Sequence, residues 1–349
     1  MPGNDIWLGC PMPKLNIYKH LLHMDLHFLT DNLTNPALLF FVLGILAVRL
    51  KSDLEIPPSS SKFIALYLIF SIGFKGGQEL SHSDFAPEIF WSMFAGITLA
   101  LVVPLYTYFL LRRKFNVPNA GAIAAAYGSV SAVTFVTAIS FLEMEQIDFG
   151  GHMVAVMALM EAPSIIIGVL LIALFSPGRQ GKLPLGSILK HSLTNGSVLL
   201  ILGSLVIGYL ANEQQAEGIK PFTTDLFKGF LAVFLLDMGI TAGRKITDLL
   251  DKGVFPFVFA ILVPLFNGCV VAVASGLFMD SIGDRFLLSI LAASASYIAV
   301  PAAMRIAAPE ANPSLYLPMA LAITFPFNIT LGMPIYLTVL ESMSHGAIP

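Results

Sequence analysis

The sequence predicts an all-α integral membrane protein whose ten transmembrane helices form a five-plus-five inverted repeat. Of its 349 residues, 56% are hydrophobic and 12% are charged, whereas a soluble domain carries roughly a quarter charged residues. The charges lie in short clusters between long apolar runs, which is typical of a polytopic membrane protein. Two of these runs are interrupted at their centres by small polar residues, at 127–134 and 293–301. Matched interruptions of this kind are typical of transporters built from inverted repeats.

Ten apolar runs have about the 20 residues that a helix needs to cross the hydrocarbon core. We place the spans at residues 34–49, 60–79, 88–111, 118–142, 151–175, 193–211, 223–243, 254–279, 285–307 and 314–340. Residues 33–175 then hold the first block of five spans and residues 193–340 the second, joined by a linker at 176–192. Residues 1–32 lack the long apolar core and small-residue cleavage site of a signal peptide. We therefore predict a poorly ordered N-terminal tail.

The distribution of basic residues predicts the orientation of the chain. Of the 19 Lys and Arg residues, thirteen lie in the loops that follow odd-numbered spans and six lie on the other side. Cytoplasmic loops carry the excess of Lys and Arg. Both termini should therefore face outward from the inner (plasma) membrane, with the linker in the cytoplasm.

Three landmarks recur at nearly constant spacing in the two blocks. Residues 72–77 correspond to 238–243, Ser129–Ser131 to Ser294–Ser296, and Pro163 to Pro326, at offsets of 166, 165 and 163. Because each block has an odd number of spans, the second must insert upside down relative to the first.

The polar cluster in span 4 predicts a broken helix and an anion site. Gly128 permits the break, and the half-helix that follows presents free N–H groups and about half a positive charge toward the midplane. Ser129, Ser131 and Thr134 add hydroxyl donors beside it.

Span 9 repeats this arrangement with Ser294 and Ser296, and Pro301 suits the first turn of its second half-helix. Opposed half-helices would form one central site, with positive ends for an anion and carbonyl ends for a small cation. The alternative is that these small residues only let the helices pack closely.

Two acids lie inside predicted spans, Glu161 in span 5 and Asp237 in span 7. An intramembrane carboxylate costs about 2.5 kcal/mol or more at the bilayer centre, so it normally has a functional or pairing role. We predict that both couple transport to a cation. The alternatives are that either acid hydrogen-bonds a neighbouring helix while protonated, or that Asp237 forms an ion pair with Lys75. Thr324 and Asn328 in span 10 add uncharged oxygen ligands suited to a hard cation such as sodium.

The sequence argues against an enzyme. All seven histidines lie at span edges or outside spans, and no His-Glu-x-x-His motif occurs. The two cysteines, Cys10 and Cys269, offer no metal-site spacing. We expect no cofactor, and sodium as the only metal ion.

Several long strings resemble the cyanobacterial-type sodium-dependent bicarbonate transporter family. They are Tyr-Gly-Ser-Val-Ser-Ala-Val-Thr-Phe (127–135), Ala-Ser-Ala-Ser-Tyr-Ile-Ala-Val-Pro-Ala-Ala-Met-Arg (293–305), Pro-Glu-Ala-Asn-Pro-Ser-Leu-Tyr (309–316), Gly-Phe-Lys-Gly-Gly (73–77) and Leu-Leu-Asp-Met-Gly (235–239). The resemblance extends from about residue 35 to residue 340.

The resemblance implies a homotrimer that imports bicarbonate with sodium. It implies a core domain of spans 3–5 and 8–10, crossing at the broken spans 4 and 9, and a gate domain of spans 1, 2, 6 and 7. The anion site would fall on Gly128, Ser129, Ser131, Ser294, Ser296 and Tyr297. The core would move past the gate like an elevator, and a cytoplasmic PII-like protein could regulate it, although the linker here is short.

Two other transporter classes stay open at this point. One is a sodium-coupled symporter of another small anion, and the other is a cation/proton antiporter on a similar scaffold. Antiporters of that kind would place acids or a lysine on the crossing helices, where this sequence has hydroxyls, so the hydroxyls favour an anion.

Overall fold

The computed structural model describes residues 34–82, 87–176, 186, 190, 194, 196–250 and 252–345. The predicted tail at 1–32 and most of the linker at 176–192 lie outside these residues. Within them, every regular element is a helix and no strand occurs. The all-helical class is therefore confirmed for this part of the chain.

The helices of the first half coincide with the first five predicted spans to within a few residues. They are α1 (Pro36–Arg49), α2 (Pro58–Ser81), α3 (Pro87–Leu111), α4 (Val117–Gly128), α5 (Ala132–Met144) and α6 (His152–Phe175). Local sequence explains several of the boundaries. Asn35 and Asn116 cap α1 and α4 with their side chains, and a proline stands in the first turn of each helix.

The second half continues with α7 (Gly196–Leu210), α8 (Glu213–Lys220), a π-helical turn (Pro221–Asp225), α9 (Phe227–Leu250), α10 (Val254–Ser275), α11 (Ile282–Ala293) and α12 (Ala299–Ala307). The last helical stretch combines α13 (Pro313–Pro318), a π-helical segment (Met319–Thr324), α14 (Phe325–Phe327), a second π-helical segment (Asn328–Gly332) and α15 (Met333–His345). Its prolines account for the irregularity, because proline removes a hydrogen bond from the helix.

Within the described ranges, six helical stretches are long and apolar enough to cross a membrane. They are Pro87–Leu111, Val117–Met144, His152–Phe175, Glu213–Ile246, Val254–Ser275 and Pro313–Met343. Helices α1 and α7 are equally apolar but shorter. The chain is thus a polytopic membrane protein, while the count of ten spans stays a prediction.

Small residues bring two pairs of helices into close contact, α1 with α9 and α2 with α7. Gly44 faces Gly239 in the first pair, and Gly77 faces Gly208 in the second. A Cβ added at any of these glycines would collide with the backbone of the partner helix. Glycine serves here as it does at membrane helix interfaces generally, by letting two backbones approach.

The half-helices α4 and α11 lie in the interior. Every residue of α4 from Ala120 to Gly128 is buried, as is every residue of α11 from Gly283 to Ala293. Helix α4 packs between α3 and α6, and α11 packs against α10. The polar ends of α4 and α11 are therefore held inside the protein, away from lipid.

Candidate functional site

Both interior half-helices end in the same way. Helix α4 stops at Gly128, and Ser129 then adopts extended backbone angles (φ −82°, ψ 172°). Helix α11 stops at Ala293, and Ser294 adopts nearly the same angles (φ −83°, ψ 167°). The helix breaks predicted at these serines are therefore present in the structure.

The two breaks cross and hydrogen-bond to each other. The backbone N–H of Ser131 donates to the hydroxyl of Ser294 over 3.0 Å. In the other direction, the backbone N–H of Ser296 donates to the carbonyl of Ala126 over 2.8 Å. We call the segments 129–131 and 294–298 together the crossing.

Ser131 also begins α5. Its hydroxyl oxygen accepts from the backbone N–H of Thr134 over 3.2 Å, and its carbonyl accepts from Phe135 over 3.0 Å. This is N-cap geometry, which satisfies one of the free N–H groups of the first turn. The Ser131 side chain also interacts with the phenol of Tyr297, and Thr134 lies buried in the turn above it.

Gly128 is required by close packing at the end of α4. A Cβ at this position would collide with the Pro104 ring and the hydroxyl of Ser164. That hydroxyl donates to the carbonyl of Ala125 over 3.0 Å, at the end of the same half-helix. The sequence predicted that Gly128 allows the break, and the structure adds the steric reason.

Ser129 has the least satisfied side chain of the crossing. Its residue is 1% exposed, and its hydroxyl has no hydrogen-bond partner among the described residues. Leaving a buried polar group unpaired costs about 1–3 kcal/mol, so such a group in a native structure calls for an explanation. Ser129 does not line a described cavity, so a ligand with acceptor oxygens would supply the missing partner only in a more open arrangement of the crossing.

A small cavity of about 30 Å³ adjoins the crossing. Its walls include Ser131, Ser296, Tyr297 and Glu161. This volume exceeds the roughly 10–15 Å³ that one water molecule needs. The structure thus brings Glu161 beside Ser131 and Ser296.

Tyr297 separates this cavity from a larger one of about 450 Å³, which contains Asp237 and Arg244. Both cavities share the walls Ile69, Ser197, Tyr297 and Ile298. The phenol of Tyr297 interacts with the Ser131 side chain and lies 3.8 Å from the sulfur of Met238. Tyr297 is thus one of four residues that line both spaces.

Asp237 lines the larger cavity with Tyr297 and does not line the small cavity beside Ser131 and Ser296. It accepts a hydrogen bond from the hydroxyl of Ser61. Lys75, the alternative partner considered for Asp237, instead forms an ion pair with Glu143 at 2.7 Å. The ion pair between Lys75 and Asp237 is therefore absent from the structure.

Thr324 and Asn328 use their polar atoms within the protein. The hydroxyl of Thr324 donates to the carbonyl of Ala260 and meets the phenol of Tyr127, both at 2.7 Å. The amide of Asn328 donates to the carbonyl of Ala293 over 2.8 Å. Neither side chain lines the small cavity.

One further polar residue meets the end of α11: Asn267 is 6% exposed and donates to the carbonyl of Ala292 over 3.1 Å. A signal was present, because Asn267 is a polar side chain inside an apolar span. The sequence could not show that this residue meets α11. Among the described residues, no group of three or more His, Cys, Asp or Glu side chains could hold a metal ion.

Comparison with known families identifies the family to which this chain belongs. The sequence matches the Na⁺-dependent bicarbonate transporter superfamily over residues 36–341. The chain belongs to this superfamily. It is therefore a membrane transporter and not an enzyme, and the resemblance found in the sequence is confirmed. No curated protein matches the chain.

Proposed function

We propose that this transporter imports bicarbonate by symport with sodium and that bicarbonate binds at the crossing. The observation that carries the proposal is the buried, unpartnered hydroxyl of Ser129 beside the reciprocal hydrogen bonds of Ser131 and Ser296. Membership of the Na⁺-dependent bicarbonate transporter superfamily supports the substrate and the coupling ion.

The crossing has the chemistry of an anion site. Helices α5 and α12 both begin there, and the N-terminus of a helix carries about half a positive charge. The hydroxyls of Ser129, Ser131 and Ser296 are donors suited to the oxygens of bicarbonate. Ser294 supports the site indirectly, because its hydroxyl already accepts from Ser131.

Glu161 is our candidate for the sodium ligand. It is the carboxylate that lines the small cavity with Ser131 and Ser296, and carboxylate oxygens suit a hard cation. A sodium ion between Glu161 and the anion would offset the charge of both, so each solute would favour binding of the other. We propose that Asp237 acts earlier, in the larger cavity, by drawing cations toward Tyr297.

We further propose the ten-span inverted repeat, with spans 3–5 and 8–10 as the core and spans 1, 2, 6 and 7 as the gate. The matched backbone angles of Ser129 and Ser294 support the repeat. The close pairs α1–α9 and α2–α7 support a gate of these four helices, since they join spans 1 with 7 and 2 with 6.

Two cavities between the proposed gate and core support alternating access by an elevator-like movement. The cavity with Asp237 lies beside Ser61, near the start of α2. A second, of about 370 Å³, lies beside Lys75, near its end. Ser61 and Lys75 are roughly 21 Å apart along the helix. In our proposal the core carries the crossing between these two ends. A homotrimer, outward-facing termini and a PII-like regulator stay predictions.

Uptake of labelled bicarbonate into proteoliposomes tests the proposal, with and without an inward sodium gradient. Wild type should take up bicarbonate only when the sodium gradient is present, and Ser131→Ala should lose this uptake. Ser92→Ala is the matched control, because Ser92 is buried and bonds only to Ile89 in its own helix. Sodium-independent uptake would contradict symport, and uptake of nitrate but not bicarbonate would contradict the substrate.

A further inference from the structure

Two asparagines cap the buried end of α11, next to the crossing. The side-chain amide of Asn267 donates to the carbonyl of Ala292 over 3.1 Å, and that of Asn328 donates to the carbonyl of Ala293 over 2.8 Å. These are the last two carbonyls of the half-helix, and Ser294 follows directly. The carbonyl end of a helix carries about half a negative charge, which opposes an anion at this place.

Each asparagine is held in orientation by a tyrosine. Tyr106 donates from its hydroxyl to Oδ1 of Asn267. Tyr336 donates to Oδ1 of Asn328 over 3.1 Å and also contacts the carbonyl of Pro264 over 3.2 Å. The carbonyls of Ala292 and Ala293 can only accept, so the NH₂ group of each asparagine points at α11 and each Oδ1 is left to accept from a tyrosine hydroxyl.

In the first half of the chain, a serine hydroxyl covers a carbonyl at the end of the matching half-helix α4. Ser164 donates to the carbonyl of Ala125 at the end of α4 over 3.0 Å. Ser164 and Asn328 are 164 positions apart, close to the offsets of the other matched landmarks. Both half-helices that end at the crossing therefore have a carbonyl covered by a donor from the predicted span that follows, span 5 for α4 and span 10 for α11.

We propose that Asn267 and Asn328, oriented by Tyr106 and Tyr336, are positioning residues that make the crossing selective for an anion. Their NH₂ groups cover the carbonyl end of α11 and hold Ser294 where it accepts from Ser131. With these carbonyls covered, the crossing presents hydroxyls and helix N-termini to the solute. This inference rests on the proposed function, and it replaces the sodium-ligand role predicted for Asn328.

The two roles of Asn328 make opposite predictions. A sodium ligand binds through Oδ1, so Asn328→Asp would keep sodium affinity, and Tyr336→Phe would free the oxygen and keep or improve it. A positioning residue acts through Nδ2, so Asn328→Asp replaces a donor with an acceptor. We expect the bicarbonate KM of Asn328→Asp to rise about tenfold or more, the effect of leaving a buried partner unsatisfied.

The transport test compares Asn267→Asp, Asn328→Asp, Asn328→Leu and Tyr336→Phe in proteoliposomes. We expect all four to raise the bicarbonate KM, with Tyr336→Phe the mildest. Asn212→Asp is the matched control, since Asn212 caps the exposed helix α8 and Asp caps equally well. Unchanged bicarbonate KM in Asn328→Asp and Asn328→Leu that are folded and reconstituted would overturn the inference.

A second readout does not depend on bicarbonate being the substrate. In a background where Cys10 and Cys269 are replaced by serine, Ser296→Cys is reacted with an anionic and a cationic methanethiosulfonate reagent. The ratio of the anionic to the cationic rate should fall about tenfold or more when Asn328→Asp is added. An unchanged ratio would overturn the inference, whereas a wild type that fails to transport bicarbonate would overturn only the proposed function.

Discussion

The backbone N–H of Ser131 and the hydroxyl of Ser294 join the two helix breaks over 3.0 Å. The contact is specific because Ser294 directly follows α11, while Ser131 directly precedes α5. One side chain from the second half of the chain thus holds the backbone N–H of the residue that caps a helix in the first half.

Ser294→Ala should lose most sodium-dependent bicarbonate uptake. The substitution leaves the buried N–H of Ser131 without an acceptor, which costs about 1–3 kcal/mol and lets the crossing shift. Uptake by reconstituted protein checks this, with Ser92→Ala as the control. Uptake equal to wild type would show that this hydrogen bond is not needed for the geometry of the binding site.

Gly128→Ala should reduce both stability and uptake. The added Cβ would lie 2.6 Å from Cγ of Pro104, and overpacking of this kind typically costs about 1–3 kcal/mol. Thermal unfolding in detergent should show the loss. Gly203→Ala is the matched control, since nothing lies within 4 Å of a Cβ there. Equal unfolding temperatures for the two variants would contradict the packing argument.

Glu161→Gln and Asp237→Asn should have different effects on transport, because the two acids line different cavities. Glu161 lines the cavity at the crossing, so its neutral variant should lose sodium-dependent uptake. Asp237 lies in the larger cavity beside Ser61, so Asp237→Asn should raise the half-saturating sodium concentration but keep the maximal rate. Sodium titration of bicarbonate uptake measures both quantities. The reverse pattern would place the coupling ion at Asp237.

Lys75 and Glu143 should act as a pair between α2 and α5. Their side chains are 33% and 26% exposed and 2.7 Å apart, so the interaction is worth about 0.2–1 kcal/mol. Lys75→Glu and Glu143→Lys should each lower uptake, and the double exchange should restore part of it. Additive losses in the double variant would show that the contact has no role in transport.

Much of the fold follows from the sequence because apolar length and helix-breaking residues act locally. Helix α6 ends at residue 175, where span 5 was placed, and α4 stops at Gly128 as its composition indicates. The position of Asp237 did not follow, since its contact with Ser61 joins residues 176 positions apart. Which of two acids faces the serines depends on helix rotation and packing, and neither is encoded in local composition.

The roles of Thr324 and Asn328 show the same limit. Their residue types suit a cation, but the structure directs their polar atoms at the carbonyls of Ala260 and Ala293. An oxygen donor in a membrane span can serve a ligand or a broken helix. Only the three-dimensional arrangement distinguishes between the two.

The most direct test of the central claim is a cryo-EM map of the protein with bicarbonate and sodium, compared with a map without them. We expect added density at the crossing, beside Ser129, Ser131 and Ser296, with a widened cavity next to Glu161. Density confined to the larger cavity beside Asp237 and Arg244, with an unchanged crossing, would contradict it.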